Sequence, residues 1–123
     1  MTYVDDMQAS FRGMVMCHMI ADTDEELHAM ADLIGMKRQW HQCPPAHASH
    51  YDIALSKRAL AVAYGAVEIT IRQASAMTVR RRITGQLGPP DEARSWVTAW
   101  RDSQRQVGEN AEIHAPLTRK SGS

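Results

Sequence analysis

Twelve consecutive residues, HASHYDIALSKR from His47 to Arg58, hold two histidines, a tyrosine, an aspartate, two serines, a lysine and an arginine. Imidazoles and carboxylates exchange protons near neutral pH, and both ligate divalent ions. Asp5, Asp6, His18 and Asp22 lie upstream. With His50 and Asp52 they form a constellation suited to general acid–base work, His50 or Asp52 taking either role, provided the fold brings them together. Tyr51, between those two, is a candidate ligand contact. Each residue also has a plainer reading: Asp22 starts a helix, Asp5 caps a turn, and His18 is a satisfied core histidine.

Ser56, Lys57 and Arg58 raise an electrostatic question. A helix N-terminus carries partial positive charge and favours carboxylates over cations. If Ser56 caps a helix, two cations stand in its first turn beside free amides, and a bound phosphate or carboxylate would resolve the conflict. If Asp52 caps it instead, the cations fall in the second turn with little penalty. A further grouping, His41, Cys43, His47 and His50, follows the spacing H-x-C-x3-H-x2-H and offers zinc-ligand types. Pro44 and Pro45 interrupt it, and the spacing fits no familiar zinc finger, so no metal is assigned from it. No cofactor is specified, and no Gly-x-Ser-x-Gly, P-loop or HExxH motif is present.

The elements that must position these residues read as follows. TYVDD (2–6) is a short β-prone stretch, and MVMCHMIAD (14–22) is a nearly continuous apolar run of the kind a buried strand shows. Thr23 and Glu26 make a capping box for a helix with the apolar stripe Leu27, Met30, Ala31 and Ile34, stopped at Gly35. His28 lies on the flank of that stripe. KRQWHQ is expected as a short strand, CPPAHAS as a loop, HYDIAL as extended chain or a turn, SKRALAVAYG as a helix and AVEIT as a strand. Thr70 and Gln73 make a second capping box opening a helix through IRQASAMTVRRR, whose Arg80, Arg81 and Arg82 suit its C-terminal end. DEARSWVTAWRDSQRQVG is a last helix with Trp96, Trp100 and Val107 on one stripe.

Strands alternating with helices predict a small single-domain α/β fold, with a mixed, mostly parallel sheet flanked by helices and a C-terminal helix appended to it. The expected layout is a core at 1–85, the appendage at 86–108 and a mobile tail at 109–123. Ligands bind at the C-terminal ends of strands in open parallel sheets. Asp5, Asp6 and Asp22 close the first two strands, so they are expected in one cleft. The link between those strands is about eight residues, too short for a crossover helix. An antiparallel pair is therefore the competing arrangement, and it would carry His18 and Asp22 away from Asp5.

The 123 residues fit one domain, and their hydrophobic content of 44% is ordinary for a globular chain. No apolar run approaches the roughly 18 residues of a membrane span, and the acidic start MTYVDDMQ predicts no secretory signal. Cys17 and Cys43 make no CxxC motif, so free thiols and a cytoplasmic location are expected. Net charge is zero, but residues 1–70 carry five Lys/Arg against nine Asp/Glu, and the rest carry nine against five. That basic half could meet nucleic acid or an acidic partner, though a solvated helix surface explains it as well.

YVDD, CHMIAD, DEELHAMADLIG, HYDI and GAVEIT, in that order over about residues 2–75, resemble the bacterial and phage family known as domain of unknown function 4031. The resemblance implies a short α/β module of phage or bacterial origin. It assigns no activity. HQCPPAHAS, between Trp40 and His50, is longer than the family pattern, and the last helix lies outside it.

The resulting expectation is a pocket for a phosphorylated, nucleotide-like small molecule. Asp5, His18, Asp22, His50 and Asp52 would line it, and Tyr51, Ser56, Lys57 and Arg58 would hold the anion. It would either hydrolyse that ligand or sequester a nucleotide signal, an anti-defence role if phage-encoded. The alternative is a non-enzymatic protein that binds nucleic acid or a host protein through Arg72–Arg82 and Arg94–Arg105, with a homodimer through Trp96 and Trp100 as a further option.

Overall fold

The computed structural model describes residues 1–114, with side chains to Gly108. Strands β1 (Thr2–Val4), β2 (Ala9–Phe11) and β3 (Met14–Ala21) precede helix α1 (Asp24–Leu33). Two 3-10 turns, Arg38–Trp40 and Ala46–Ala48, lead to β4 (Tyr51–Ala54), α2 (Leu55–Ala63) and β5 (Val67–Glu68). Helices α3 (Ile71–Thr84) and α4 (Pro90–His114) follow. KRQWHQ is thus a 3-10 turn rather than a strand, with Gln42 alone bridging to His50. Among the described residues, no helix is long and apolar enough to cross a membrane.

The α/β class and the mixed five-stranded sheet with four helices hold. The expected predominance of parallel pairing does not. β1, β2 and β4 all run antiparallel to β3, and only β5 runs parallel to its neighbour β1. Loop length explains part of this: the two-residue turn from β2 into β3 allows only antiparallel pairing, whereas the one parallel pair, β1 with β5, is joined through α1 and α2.

β3 is the central strand, and its pleat sorts two cores. Cys17, Met19 and Ala21 face α1 and α2, packing with Val4, Leu27, Ile34, Tyr51 and Ile53. Ile20, one residue out of phase, packs on the other side with Tyr3, Ile69, Met77, Leu87, Ala93 and Val97. The C-terminal helix is therefore not an appendage, because Ala93 and Val97 complete the second core. Trp96 packs against that core and lies under Arg80, whose guanidinium carbon is 5.2 Å from its ring centroid. α4 runs on to His114, past the expected boundary at 108; residues 115–123 of the expected tail lie outside the described residues.

Caps form where the sequence places them. Thr23 Oγ accepts from the Glu26 amide at 3.1 Å, and Thr70 and Gln73 close the full reciprocal box. Arg81 fastens the layers together. Its half-buried guanidinium donates to the carbonyls of His47 (2.9 Å), Ala21 (3.0 Å) and Ser49 (3.3 Å), binding α3 to the loop and to the end of β3. Two of those carbonyls belong to buried residues. Charge-assisted hydrogen bonds contribute roughly 1.5–3 kcal/mol each, and deserting buried acceptors costs more. Arg81→Ala is therefore expected to lower the unfolding free energy by about 3 kcal/mol, whereas Arg82→Ala, at an exposed position, changes it by less than about 0.5 kcal/mol. Urea unfolding of both variants checks this; equal midpoints would contradict the fastening role.

Candidate functional site

The alternation that buries Tyr51 and Ile53 on the α1–α2 face places Asp52 on the opposite face of β4. The register pairs Asp52 directly with His18 of β3. Asp5 follows the end of β1, and its amide donates to the His18 carbonyl at 3.0 Å. His50 precedes β4 and is held by its bridge to Gln42. Four of the expected residues, Asp5, His18, His50 and Asp52, are thereby brought together.

Their contacts fix the rings. Asp5 is buried, at 1% exposure. Its Oδ2 accepts from His18 Nδ1 at 2.7 Å, and its Oδ1 accepts from the amides of His18 (2.9 Å) and Met7 (3.2 Å). Burial alone would push the Asp5 carboxyl up, but these three hydrogen bonds and the His18 charge outweigh it and hold it below its ordinary value. The same bond to Asp5 raises the His18 imidazole, against a smaller opposing effect of burial. His50 Nδ1 donates to the Ala48 carbonyl at 2.6 Å. A carbonyl only accepts, so the Nδ1 proton is fixed and a neutral His50 presents a lone pair at Nε2. Gln42 Nε2 donates to Asp52 Oδ2 at 2.7 Å. The other oxygen, Oδ1, is buried and has no hydrogen-bond partner. It lies 3.3 Å from His50 Nε2 and 3.8 Å from His18 Nε2, and the two rings meet edge to face at 5.2 Å. A cleft of about 310 Å³ opens beside both histidines, walled by Ile20, Ile71, Ala74, Ser75 and Thr78.

The remaining expected site residues go elsewhere. Asp22 is at the far end of β3, where its amide meets the Met1 carbonyl. The antiparallel pairing separates it from Asp5, although it keeps His18 with Asp5. Asp22 lines a separate cleft of about 670 Å³ and accepts from the Tyr3 hydroxyl at 3.2 Å. Burial and the Asp22 charge push that phenol up to about 12. Asp6 caps α3 by accepting from the Ile71 amide at 2.6 Å. Tyr51 is fully buried on the other face, its hydroxyl 2.8 Å from His28 Nδ1, so it does not line the cleft.

The Ser56–Arg58 stretch does not converge on the histidines. α2 is capped at Ala54, placing Ser56 in the exposed first turn. Lys57 reaches the C-terminal end of α1, where a Cβ on Gly35 would lie 3.1 Å from its Nζ; a cation suits that end of the helix dipole. Arg58 donates to the Asp5 carbonyl (2.8 Å) and to Glu68 (2.9 Å), so it braces the loop behind Asp5.

The His41, Cys43, His47 and His50 set also separates. Among the described residues, two groups have donor atoms within 4.8 Å of one another: His18, His50 and Asp52, and Asp24, His41 and Cys43. His47 joins neither. In the second group the buried Ser49 hydroxyl donates to Asp24 at 2.7 Å and must accept from His41 Nε2 at 2.7 Å. That order is the reverse of a nucleophile activated by a histidine base. Cys17 is a core residue whose thiol burial raises to about 11. Two contributors escape sequence reasoning: Gln42, which only its bridge to His50 brings to Asp52, and the Ala48 carbonyl, a local backbone acceptor that residue type does not signal. The proximity of Asp24 and His28 is legible from their i, i+4 spacing on α1.

A family model described as a protein of unknown function (DUF4031) matches residues 2–81, and the chain belongs to that family. The matched span contains all four residues of the centre and stops before α4. No curated protein and no solved structure matches the chain.

The Asp5–His18 bond makes a pH prediction for protein stripped of ions with a chelator. The raised His18 contributes stability that is complete below its unfolded pKa and lost as pH rises through the folded value. The lowered Asp5 contributes stability present above its unfolded pKa and lost as pH falls through the folded value. The pair therefore stabilises fully between the unfolded Asp5 and unfolded His18 pKa values, and its contribution fades outside that window until the lowered Asp5 value and the raised His18 value are passed. Asp5→Asn should flatten that plateau and return His18 toward about 6.5, measured by NMR titration of the ring protons. An unchanged His18 titration would show that Asp5 does not control it.

Proposed function

We propose that the protein hydrolyses a small phosphorylated molecule at the centre formed by His18, His50 and Asp52, with Asp5 orienting His18. The observation that carries this reading is the convergence of two imidazole Nε2 atoms and one buried, unpartnered carboxylate oxygen beside a cleft. Buried polar atoms are normally paired, and exceptions concentrate at functional sites. With Arg58 engaged by the Asp5 carbonyl and Glu68, positive charge for a phosphoryl group comes from the centre itself, where Asp5 favours cationic His18.

In this reading the organic part of the substrate lies against Ile20, Ile71 and Ala74, and the phosphoryl group faces the imidazoles. Water polarised at the centre attacks phosphorus, the phosphorus–oxygen bond to the organic group breaks, and the alcohol leaves with a proton. The products are the free alcohol and phosphate. A nucleoside monophosphate is the nucleotide-like form of such a substrate. The arginine run does not favour the nucleic-acid alternative: Arg81 holds the layers together and Arg80 covers Trp96.

Phosphate release from para-nitrophenyl phosphate and from nucleoside monophosphates tests the reading. His50→Ala and Asp52→Ala should each lower kcat/KM by about 100-fold or more, while His47→Ala stays within about twofold. Absence of release from every phosphoester tried, or calorimetric binding without turnover, would overturn it.

A further inference from the structure

From the same three side chains we infer a site for a divalent first-row transition ion, ligated by His18 Nε2, His50 Nε2 and Asp52 Oδ1. It rests on the reading of this centre as the reactive one and names what occupies it. Three independent observations carry it.

The first is spacing. Bonds of about 2.0–2.1 Å at tetrahedral angles place ligand atoms about 3.3 Å apart. The Nε2–Oδ1 separations here are 3.3 and 3.8 Å, and all three groups lie within 4.8 Å of one another. Small side-chain adjustments close the remainder.

The second is the surrounding shell. A ligating histidine normally gives its other ring N–H to a carboxylate or a backbone carbonyl, which fixes the tautomer and aims the free nitrogen at the ion. Both forms are present: His18 Nδ1 with Asp5 and His50 Nδ1 with the Ala48 carbonyl. The ligating carboxylate is usually hydrogen-bonded as well, and Gln42 holds Asp52 by Oδ2, the oxygen facing away from the histidines. The third is the deficit at Asp52 Oδ1, a buried oxygen with no hydrogen-bond partner, which a cation would satisfy.

Two imidazoles and one carboxylate suit zinc and its neighbours better than calcium or magnesium, which prefer oxygen ligands. Three protein ligands would leave a tetrahedral ion one free coordination position, as in catalytic rather than structural sites, and two of the three, His18 and His50, line the cleft. There an ion would polarise the attacking water and offset phosphoryl charge more strongly than a protonated imidazole. The other group, Asp24, His41 and Cys43, lacks this surrounding order, because His41 Nε2 and Asp24 are both already engaged with Ser49.

The test is calorimetric titration of chelator-treated full-length protein with Zn²⁺, together with the NMR signals of His18 and His50. One ion per chain is expected, with both ring signals perturbed. His50→Ala and Asp52→Asn should weaken binding by about 100-fold or more, and Asp5→Asn, which touches no ion, by roughly 10–100-fold. Cys43→Ala should leave it unchanged. Because the ring signals are read in the unaltered chain, the result stands even if a variant fails to fold. No binding, or binding lost only in Cys43→Ala, overturns the site. Phosphoester turnover that persists in chelator removes the ion and leaves the hydrolase. Binding without turnover retains the ion and removes the hydrolase.

Discussion

The pleat of β3 is the constraint on which the remaining structure depends. Cys17, Met19 and Ala21 are sealed into one core and Ile20 into the other, so the strand cannot slip by one residue without exchanging its two faces. His18 is the polar member of the second face, and strand pairing brings it its carboxylate neighbours. Antiparallel β1 brings Asp5, and antiparallel β4 brings Asp52. A buried carboxylate is costly unless paired. Asp5 is satisfied by a ring and two amides, so it serves as a stable brace for His18 and not as a free reactant.

The sheet also insulates two histidine groups from each other. Tyr51 and Asp52 are adjacent in sequence yet belong to opposite faces. Tyr51 joins His28 and His41 in a cluster of edge-on and tilted rings, whereas Asp52 joins His18 and His50. One tripeptide, His50–Tyr51–Asp52, thus contributes to both. The loop between Trp40 and His50 is anchored at its base by the Gln42–His50 bridge, and Arg81 crosses from α3 to hold the His47 and Ser49 carbonyls.

Cationic residues here act largely as fasteners. Arg58 supports the backbone of Asp5, Arg81 joins three segments and Arg80 stacks on Trp96. The uneven charge along the chain is therefore partly an internal matter: Arg81 of the basic second half reaches three carbonyls of the first. This also accounts for the conflict at the start of α2. Of the two cations near that N-terminus, Arg58 answers to acceptors on neighbouring elements, the Asp5 carbonyl and Glu68.

What the sequence determined by itself was local. Thr23 with Glu26 and Thr70 with Gln73 announce their helices because a capping box is complete within four residues. The apolar run at Met14–Ala21 declares a strand, with His18 as its interior polar side chain; the expected burial holds only from Cys17 on, because Met14 and Val15 are exposed where the strand pairs with the exposed β2. The α/β class follows from such signals, and His50 and Asp52 are legible as chemistry from residue type alone. Strand direction, the partition of Asp5 from Asp22, the burial of Tyr51 and the use of Arg58 were decided only in the tertiary structure. Each depends on which strand lies beside β3 and in which register, and pairing of that kind is set by two core faces filling at once, a property no short window of residues contains.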